Sequence, residues 1–319
     1  MLSRTADNLY WMARYTERAE NIARMLDVTY KMSFLPHHLS DAQGFWGATL
    51  GITGLEKMFL AKYGNISAQN VVRFMVLDLE NPSSILASLK AARENAHAVR
   101  GTLTSETWET LNTTWIEART THQSQLQGSE LSKFFEWVKF RSHLSRGVTV
   151  GTMLQDEAFQ FIRLGTFLER ADNTARILDV KYDELAPRKG DTATAAAGHD
   201  DDYYEWGALL RSVSAFEIYR KVYRDMITPQ RVAELLILRP EMPRSLAACV
   251  REVAAILRLI SNGQSNETER RAGAMHARIQ YGRIEDIIEH GLHTYLTKFL
   301  ESTADLGARI SNDFLVSAV

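Results

Sequence analysis

The chain has 319 residues, 45% of them apolar and 24% charged, with 37 Lys and Arg against 39 Asp and Glu. That balance suits a globular protein of one large or two smaller units. It holds no basic block and no apolar run near the ~18 residues that span a bilayer, so neither a nucleic-acid nor a membrane partner is expected.

Proline occurs only at 36, 82, 187, 229, 240 and 243, which leaves 104 proline-free residues from 83 to 186. Proline costs a helix interior about 3 kcal/mol, so long helices are permitted almost everywhere. Taken in order, residues 4–33 place Tyr15, Ala19, Ile22 and Leu26 on one apolar stripe. Residues 42–63 form a second helix and 67–79 a short third. Asn81-Pro82 reads as a cap followed by proline at the first helical position, opening a helix to about 102. Thr104 or Ser105 caps the next, to about 126, and Ser129 another, to about 146. Residues 153–185 carry the stripe Phe167, Ala171, Thr174 and Leu178. Residues 202–226 follow, then helices opened by Thr228-Pro229, by Pro243 and by the capping-box spacing Asn266 to Glu269. Helices then run to the C-terminus. VVRFMVLD (71–78) is the best strand candidate, but no partner strand is visible. The class is all-α.

The order contains a repeat. ERAENIARMLDVTY (17–30) and ERADNTARILDVKY (169–182) share ten of fourteen residues at an offset of 152. Trp46-Gly47-Ala48 and Leu50 return as Trp206-Gly207-Ala208 and Leu210 at 160, and Glu80, Pro82 and Ser84 as Glu241, Pro243 and Ser245 at 161. The expected architecture is a tandem-duplicated helical bundle. Residues 1–150 and 151–319 form its two repeats, packed as one body about a pseudo-two-fold axis. The junction at 147–152 has no hinge composition. The second repeat carries an insertion of small and acidic residues at about 187–202, expected to be a mobile surface loop.

Beside the stripe, Glu17, Asn21 and Arg24 share one helix face, as do Glu20, Arg24 and Asp27. The second repeat offers Glu169, Asn173 and Arg176, with Asp172 and Asp179. Arg24 is therefore open to carboxylates on either side. Arg18 and Arg170 sit near the Ala19 and Ala171 stripe. Two readings stand side by side. In one, the motifs are structural: Glu17 pairs with Arg170 and Glu169 with Arg18, fixing register. In the other they form a site. Arg18, Asn21, Arg24, Arg170, Asn173 and Arg176 hold a carboxylate or phosphate, and Glu17 or Glu169, its pKa raised by burial, acts as base toward an amine.

Other candidates are weaker. Glu94 and His97 have the Glu-x-x-His spacing of di-iron bundles, but Glu289, His290 and His293 do not repeat it, so no metal or cofactor is expected. Arg93, Glu94 and Arg100 read as a solvated face. Cys249, the only cysteine, lies in an apolar context that suits an inert buried thiol, leaves no internal disulfide and fits a cytoplasmic setting. The N-terminal stretch is charged throughout and lacks a signal-peptide core. The six tryptophans, at helical spacings, read as core. No phosphate loop, nucleophile elbow or HExxH occurs.

LSRTADNLYWMARYTERAENIARMLD and FIRLGTFLERADNTARILDVKY, with NPSSI (81–85), ARENAHAVR (92–100) and PRSL (243–246), resemble the bacterial alpha-E family. This is an all-helical domain of unassigned function defined by an ER motif. The resemblance covers essentially the whole chain and puts the motif at Glu17-Arg18 and Glu169-Arg170. It implies proteins encoded beside ATP-grasp ligases, transglutaminase-like proteins and N-terminal-nucleophile peptidases, in a peptide synthesis or modification system. The leading expectation is a helical accessory or scaffold that docks an ATP-grasp-type carboxylate–amine ligase, or presents a peptide or amine ligand to it. The alternatives are an enzyme of acid–base amide chemistry and a purely structural helical adaptor.

Overall fold

The computed structural model describes residues 1–35, 42–122, 126–185 and 199–315. Among these there are fifteen α-helices and no strand. Residues 71–78 fall largely in a helix, Ala68–Val76, and not in a strand. In chain order the first seven helices are α1 (Ser3–Met32), α2 (Ala42–Thr53), α3 (Glu56–Tyr63), α4 (Ala68–Val76), α5 (Ile85–Ala98), α6 (Ser105–Ala118) and α7 (Gly128–Thr152). Then come α8 (Glu157–Leu185), α9 (His199–Ser212), α10 (Phe216–Tyr223), α11 (Pro229–Ile237), α12 (Leu246–Leu259), α13 (Asn266–Gln280), α14 (Ile284–Glu289) and α15 (Leu292–Phe314). The expected loop at 187–202 lies mostly outside the described residues.

Two helices expected to be continuous are broken. Residues 42–63 divide at Gly54, with φ 67°, and 202–226 at Ser214, with φ 56°. Each break is a left-handed helix end closed from both sides. Leu55 N–H donates to Leu50 O at 3.2 Å and Ala215 N–H to Leu210 O at 2.7 Å. Gly54 N–H donates to Gly51 O at 3.0 Å and Ser214 N–H to Arg211 O at 3.2 Å. No helical periodicity marks such a stop; it needs one backbone residue at positive φ.

The helices expected to open at Pro82 and Pro243 also start later. Pro82 follows Asn81 at the second position of a tight turn, which Ser84 N–H closes onto Asn81 O at 3.0 Å. Asn81 is committed to that turn: its Oδ1 accepts from Ser83 N–H at 2.9 Å and its Nδ2 donates to Phe74 O at 3.0 Å. The cap of α5 is Ser84, whose Oγ accepts from Ala87 N–H at 3.1 Å. Pro243 behaves alike: Ser245 caps α12 by accepting from Ala248 N–H at 3.0 Å. Thr228, Thr104 and Ser67 cap α11, α6 and α4. Both Ser84 and Ser245 are buried. Ser84→Ala and Ser245→Ala are each expected to cost about 1 kcal/mol in chemical denaturation. An unchanged midpoint for both would remove these caps from the account.

α1 contains no glycine or proline and is about 45 Å long at 1.5 Å per residue. It lies parallel to α8. Side-chain bonds between the two recur at separations of 151, 153 and 155 residues, bracketing the 152-residue repeat offset. The helices come close where Gly165 faces Tyr10: a Cβ at Gly165 would stand 2.3 Å from Tyr10 O and 3.3 Å from Ala13 Cβ. Around this pair, α1 packs on α5 and α7, and α8 packs on α12 and α15. α6 fills against α5 and α7, and α13 against α12 and α15.

The apolar residues form two clusters, and each mixes both halves of the chain. One gathers Leu9, Tyr10, Phe161, Leu164, Leu257 and Ile310. The other gathers Leu26, Trp46, Phe74, Leu178, Trp206 and Leu235. α7 runs through 147–152 without interruption, and only residues 153–156 separate it from α8. The ER motifs lie along α1 and α8 where the two clusters meet.

Candidate functional site

The parallel register brings the motifs face to face. Arg170 donates from Nε and Nη2 to Glu17 Oε1 and Oε2 at 2.9 and 3.0 Å. Arg18 donates from Nε and Nη2 to Glu169 Oε1 and Oε2 at 2.6 and 3.0 Å. These are the reciprocal pairs that the structural reading expects, both bidentate, one on each side of the contact between the helices.

The surroundings of the two pairs differ. Glu17 is 1% exposed and Glu20 wholly buried. Arg244, from the turn before α12, donates from Nη1 to Glu17 Oε1 at 2.8 Å and to Asn21 Oδ1 at 2.9 Å, and from Nη2 to Glu20 Oε1. Arg146 of α7 bonds Glu17 Oε2 at 2.9 Å and reaches Glu20 Oε2 at 2.6 Å. Arg24 bonds Glu20 Oε1 at 2.7 Å and Ser142 Oγ donates to Glu20 Oε2 at 2.8 Å. Every oxygen here is engaged. Among the described residues, Asn21 Nδ2 and Arg24 Nε are buried without a partner. Arg24 is held on one side only, because Asp27 takes Lys31 and Lys139 at 3.0 and 2.8 Å.

On the other side, Glu169 accepts a third bond, from Arg14 Nε at 2.7 Å, while Arg14 Nη1 donates to Tyr10 OH at 3.0 Å. Asp172 is gripped by Arg176 through two bonds of 2.7 and 3.2 Å. Asp179 again stays apart, facing His293 Nδ1 at 2.8 Å. A cavity of about 480 Å³ opens here, walled by Trp11, Arg14, Arg18, Ser83, Asn173 and Arg176, with Thr303, Ala304 and Gly307 of α15 as a floor of small residues. Its size suits a small ligand. Arg18, Asn21, Glu169, Asn173 and Arg176 therefore share one cavity, and Glu17, Arg24 and Arg170 lie outside it.

Charge decides what these carboxylates do. Burial alone pushes Glu17 up, but Arg170, Arg244 and Arg146 outweigh it and hold the carboxyl at about 2. Glu20 and Glu169 are likewise lowered: burial opposes the shift, and Arg244, Arg146 and Arg24 drive it for Glu20, Arg14 and Arg18 for Glu169. The expectation of a base with a raised pKa is corrected: desolvation is present, but the guanidinium charges exceed it. A carboxyl lowered by folding stabilises the fold above its ordinary value of 4.5, and that contribution is lost as pH falls through its folded value. Stability is therefore expected to decline steadily between about pH 4.5 and 2. Glu17→Gln should flatten that acid limb, as read by urea midpoints across pH; an unaltered slope would contradict the assignment.

The remaining candidates separate. Glu94 reaches Lys90 at 3.7 Å and the His97 ring packs 5.5 Å from Trp108. Among the described residues no three His, Cys, Asp or Glu side chains group as metal ligands. Arg93 is drawn onto the Trp108 ring at 5.4 Å and bonds Asn112 Oδ1 at 3.1 Å, so it is more than a solvated face. Cys249 is fully buried, and burial pushes its thiol up to about 12. Trp46 and Trp206 are core, whereas Trp11 lines the cavity. Arg14, Arg146 and Arg244 are the functional neighbours that helix-face reasoning missed. Arg244 alone carried a sequence signal: it replaces Ser83 at the repeat-equivalent position.

No helix among the described residues is long and apolar enough to cross a membrane. Three relatives are uncharacterized proteins, one of Mycobacterium bovis and two of Mycobacterium tuberculosis strains. Each is 25% identical over 320 residues, covering 93% of this chain and 35% of the relative. The chain thus spans about a third of the length of the curated relatives it matches. No solved structure matches it. The Alpha-E family model, described as a predicted alpha-helical domain with a conserved ER motif, matches residues 1–315. With its two ER motifs locked across parallel helices, the chain belongs to the Alpha-E family.

Proposed function

We propose that the chain is a cytoplasmic, non-catalytic helical accessory of a bacterial peptide synthesis or modification system, docking an ATP-grasp-type carboxylate–amine ligase and a transglutaminase-like protein. Residues 1–150 and 151–319 are read as two copies of one helical unit. The observation that carries the accessory role is the state of the motif carboxylates. Glu17, Glu20 and Glu169 are each paired with arginines and held ionised. A carboxylate tied to two or three guanidinium groups is a weak base and cannot donate a proton near neutral pH. That chemistry supports holding a fold together and disfavours acid–base amide catalysis at the same residues. The partner classes come from the alpha-E resemblance.

The test is co-expression with the ATP-grasp ligase and the transglutaminase-like protein encoded in the same host. Stable complexes, and ligase turnover that depends on this chain, are expected. Turnover of a peptide by the isolated chain, abolished by Glu169→Gln without loss of folding, would overturn the reading in favour of the enzyme.

A further inference from the structure

The two ER motifs are surrounded by matching groups with one omission. At Glu17, Oε1 accepts from Arg170 Nε and Arg244 Nη1, and Oε2 from Arg170 Nη2 and Arg146 Nη1. At Glu169, Oε1 accepts from Arg18 Nε, and Oε2 from Arg18 Nη2 and Arg14 Nε. Arg18 stands for Arg170 and Arg14 for Arg146. Among the described residues nothing stands for Arg244.

The rest of the Arg244 seat is repeated. Arg244 spans Glu17, Glu20 and Asn21. Their equivalents, 152 residues on, are Glu169, Asp172 and Asn173, and all three line the cavity. The residue equivalent to Arg244 is Ser83, 161 residues earlier, and it lines the same cavity. A serine in place of the arginine leaves the seat open, and the small residues of α15 do not fill it.

We propose that the cavity beside Glu169 is a seat for a guanidinium group, carried by a free guanidino compound or by an arginine side chain of a peptide. The set of charges matches that of the filled seat. Three arginines, Arg14, Arg18 and Arg176, face two carboxylates, Glu169 and Asp172. The filled seat has the same ratio before Arg244 is counted: Arg24, Arg146 and Arg170 against Glu17 and Glu20. Arg244 is the fourth guanidinium there, and one oxygen each of Glu17, Glu20 and Asn21 receives its N–H groups. Access is open on this side, where the Arg176 side chain is 44% exposed. Trp11, with Arg14 at 5.0 Å from its ring, lines the same cavity and shows that a guanidinium packs on an aromatic face there. The seat needs no partner protein, so its test is independent of any ligase.

The experiment is isothermal titration of the full chain with agmatine, a capped arginine peptide, a capped lysine peptide, acetate and inorganic phosphate. Agmatine is expected to bind, and the lysine peptide about tenfold or more weakly, because an ammonium lacks the planar fork. Binding of the arginine peptide as well assigns the peptide source; binding of agmatine alone assigns the free compound. Ser83→Arg is expected to fill the seat from within, abolishing agmatine binding and raising the melting temperature. Asn173→Leu, which breaks no ion pair, should weaken agmatine about tenfold. The proposal is overturned if neither agmatine nor the arginine peptide binds. It is equally overturned if acetate or phosphate binds in their place, or if agmatine binds wild type and Ser83→Arg alike.

Discussion

Glu17→Gln is expected to lower the unfolding free energy by about 3–5 kcal/mol, the range for breaking a buried ion pair from one side. The replacement keeps the volume and removes the charge that Arg170, Arg244 and Arg146 share. The side chains of Arg170 and Arg244 are 10% and 7% exposed, so water has little access to the place of the lost carboxylate. Glu169→Gln should cost less, about 1.5–3 kcal/mol, the range for hydrogen bonds to a charged group. Its partners Arg14 and Arg18 have side chains 17% and 21% exposed and border an open cavity, where solvent can reach them. Urea denaturation of both variants measures the difference. Equal costs would mean that the two sides are not as unequal as their burial makes them.

Gly165→Ala is expected to destabilise by about 3 kcal/mol or more. Alanine would ordinarily help a helix interior by about 1 kcal/mol, so glycine here needs a reason. The reason is the approach of α1: the new Cβ would lie 2.3 Å from Tyr10 O, a backbone atom that cannot rotate away. The helices would have to part, and the ion pairs one turn on would lengthen with them. Gly307→Ala is the control. Its Cβ would meet Leu168 Cδ2 at an ordinary 3.7 Å, so no loss of stability is expected. If both variants melt like wild type, the close contact of α1 with α8 is not as described.

The cross-pairing of Glu17 with Arg170 and Glu169 with Arg18 was legible in the sequence because it follows from repetition. The two helices carry the same ER sequence, and in parallel register each Glu stands opposite the other helix's Arg. The caps were partly legible. Thr104 and Thr228 are caps as expected, while Asn81 is not, because the proline turn consumes its side chain before the helix begins. The breaks at Gly54 and Ser214 were hidden: a left-handed residue ends a helix without disturbing the apolar stripe. The site itself was half legible. Helix-face reasoning found the residues on α1 and α8 but treated the copies as equivalent. The difference lies in a loop residue, Arg244 against Ser83, whose side chain enters from outside the repeated helices. Periodicity cannot report such a residue; aligning the copies and reading their departures can.

The central claim is that the ER motif is a lock between two parallel helices. A double-mutant cycle on Glu17 and Arg170 tests it most directly. Glu17→Gln, Arg170→Met and their combination would be unfolded in urea under one set of conditions. The account predicts a coupling energy of at least about 2 kcal/mol, the double variant losing far less than the two single losses added. Additive losses, with a coupling near zero, would show that the two residues do not act on each other, and the lock would be refuted.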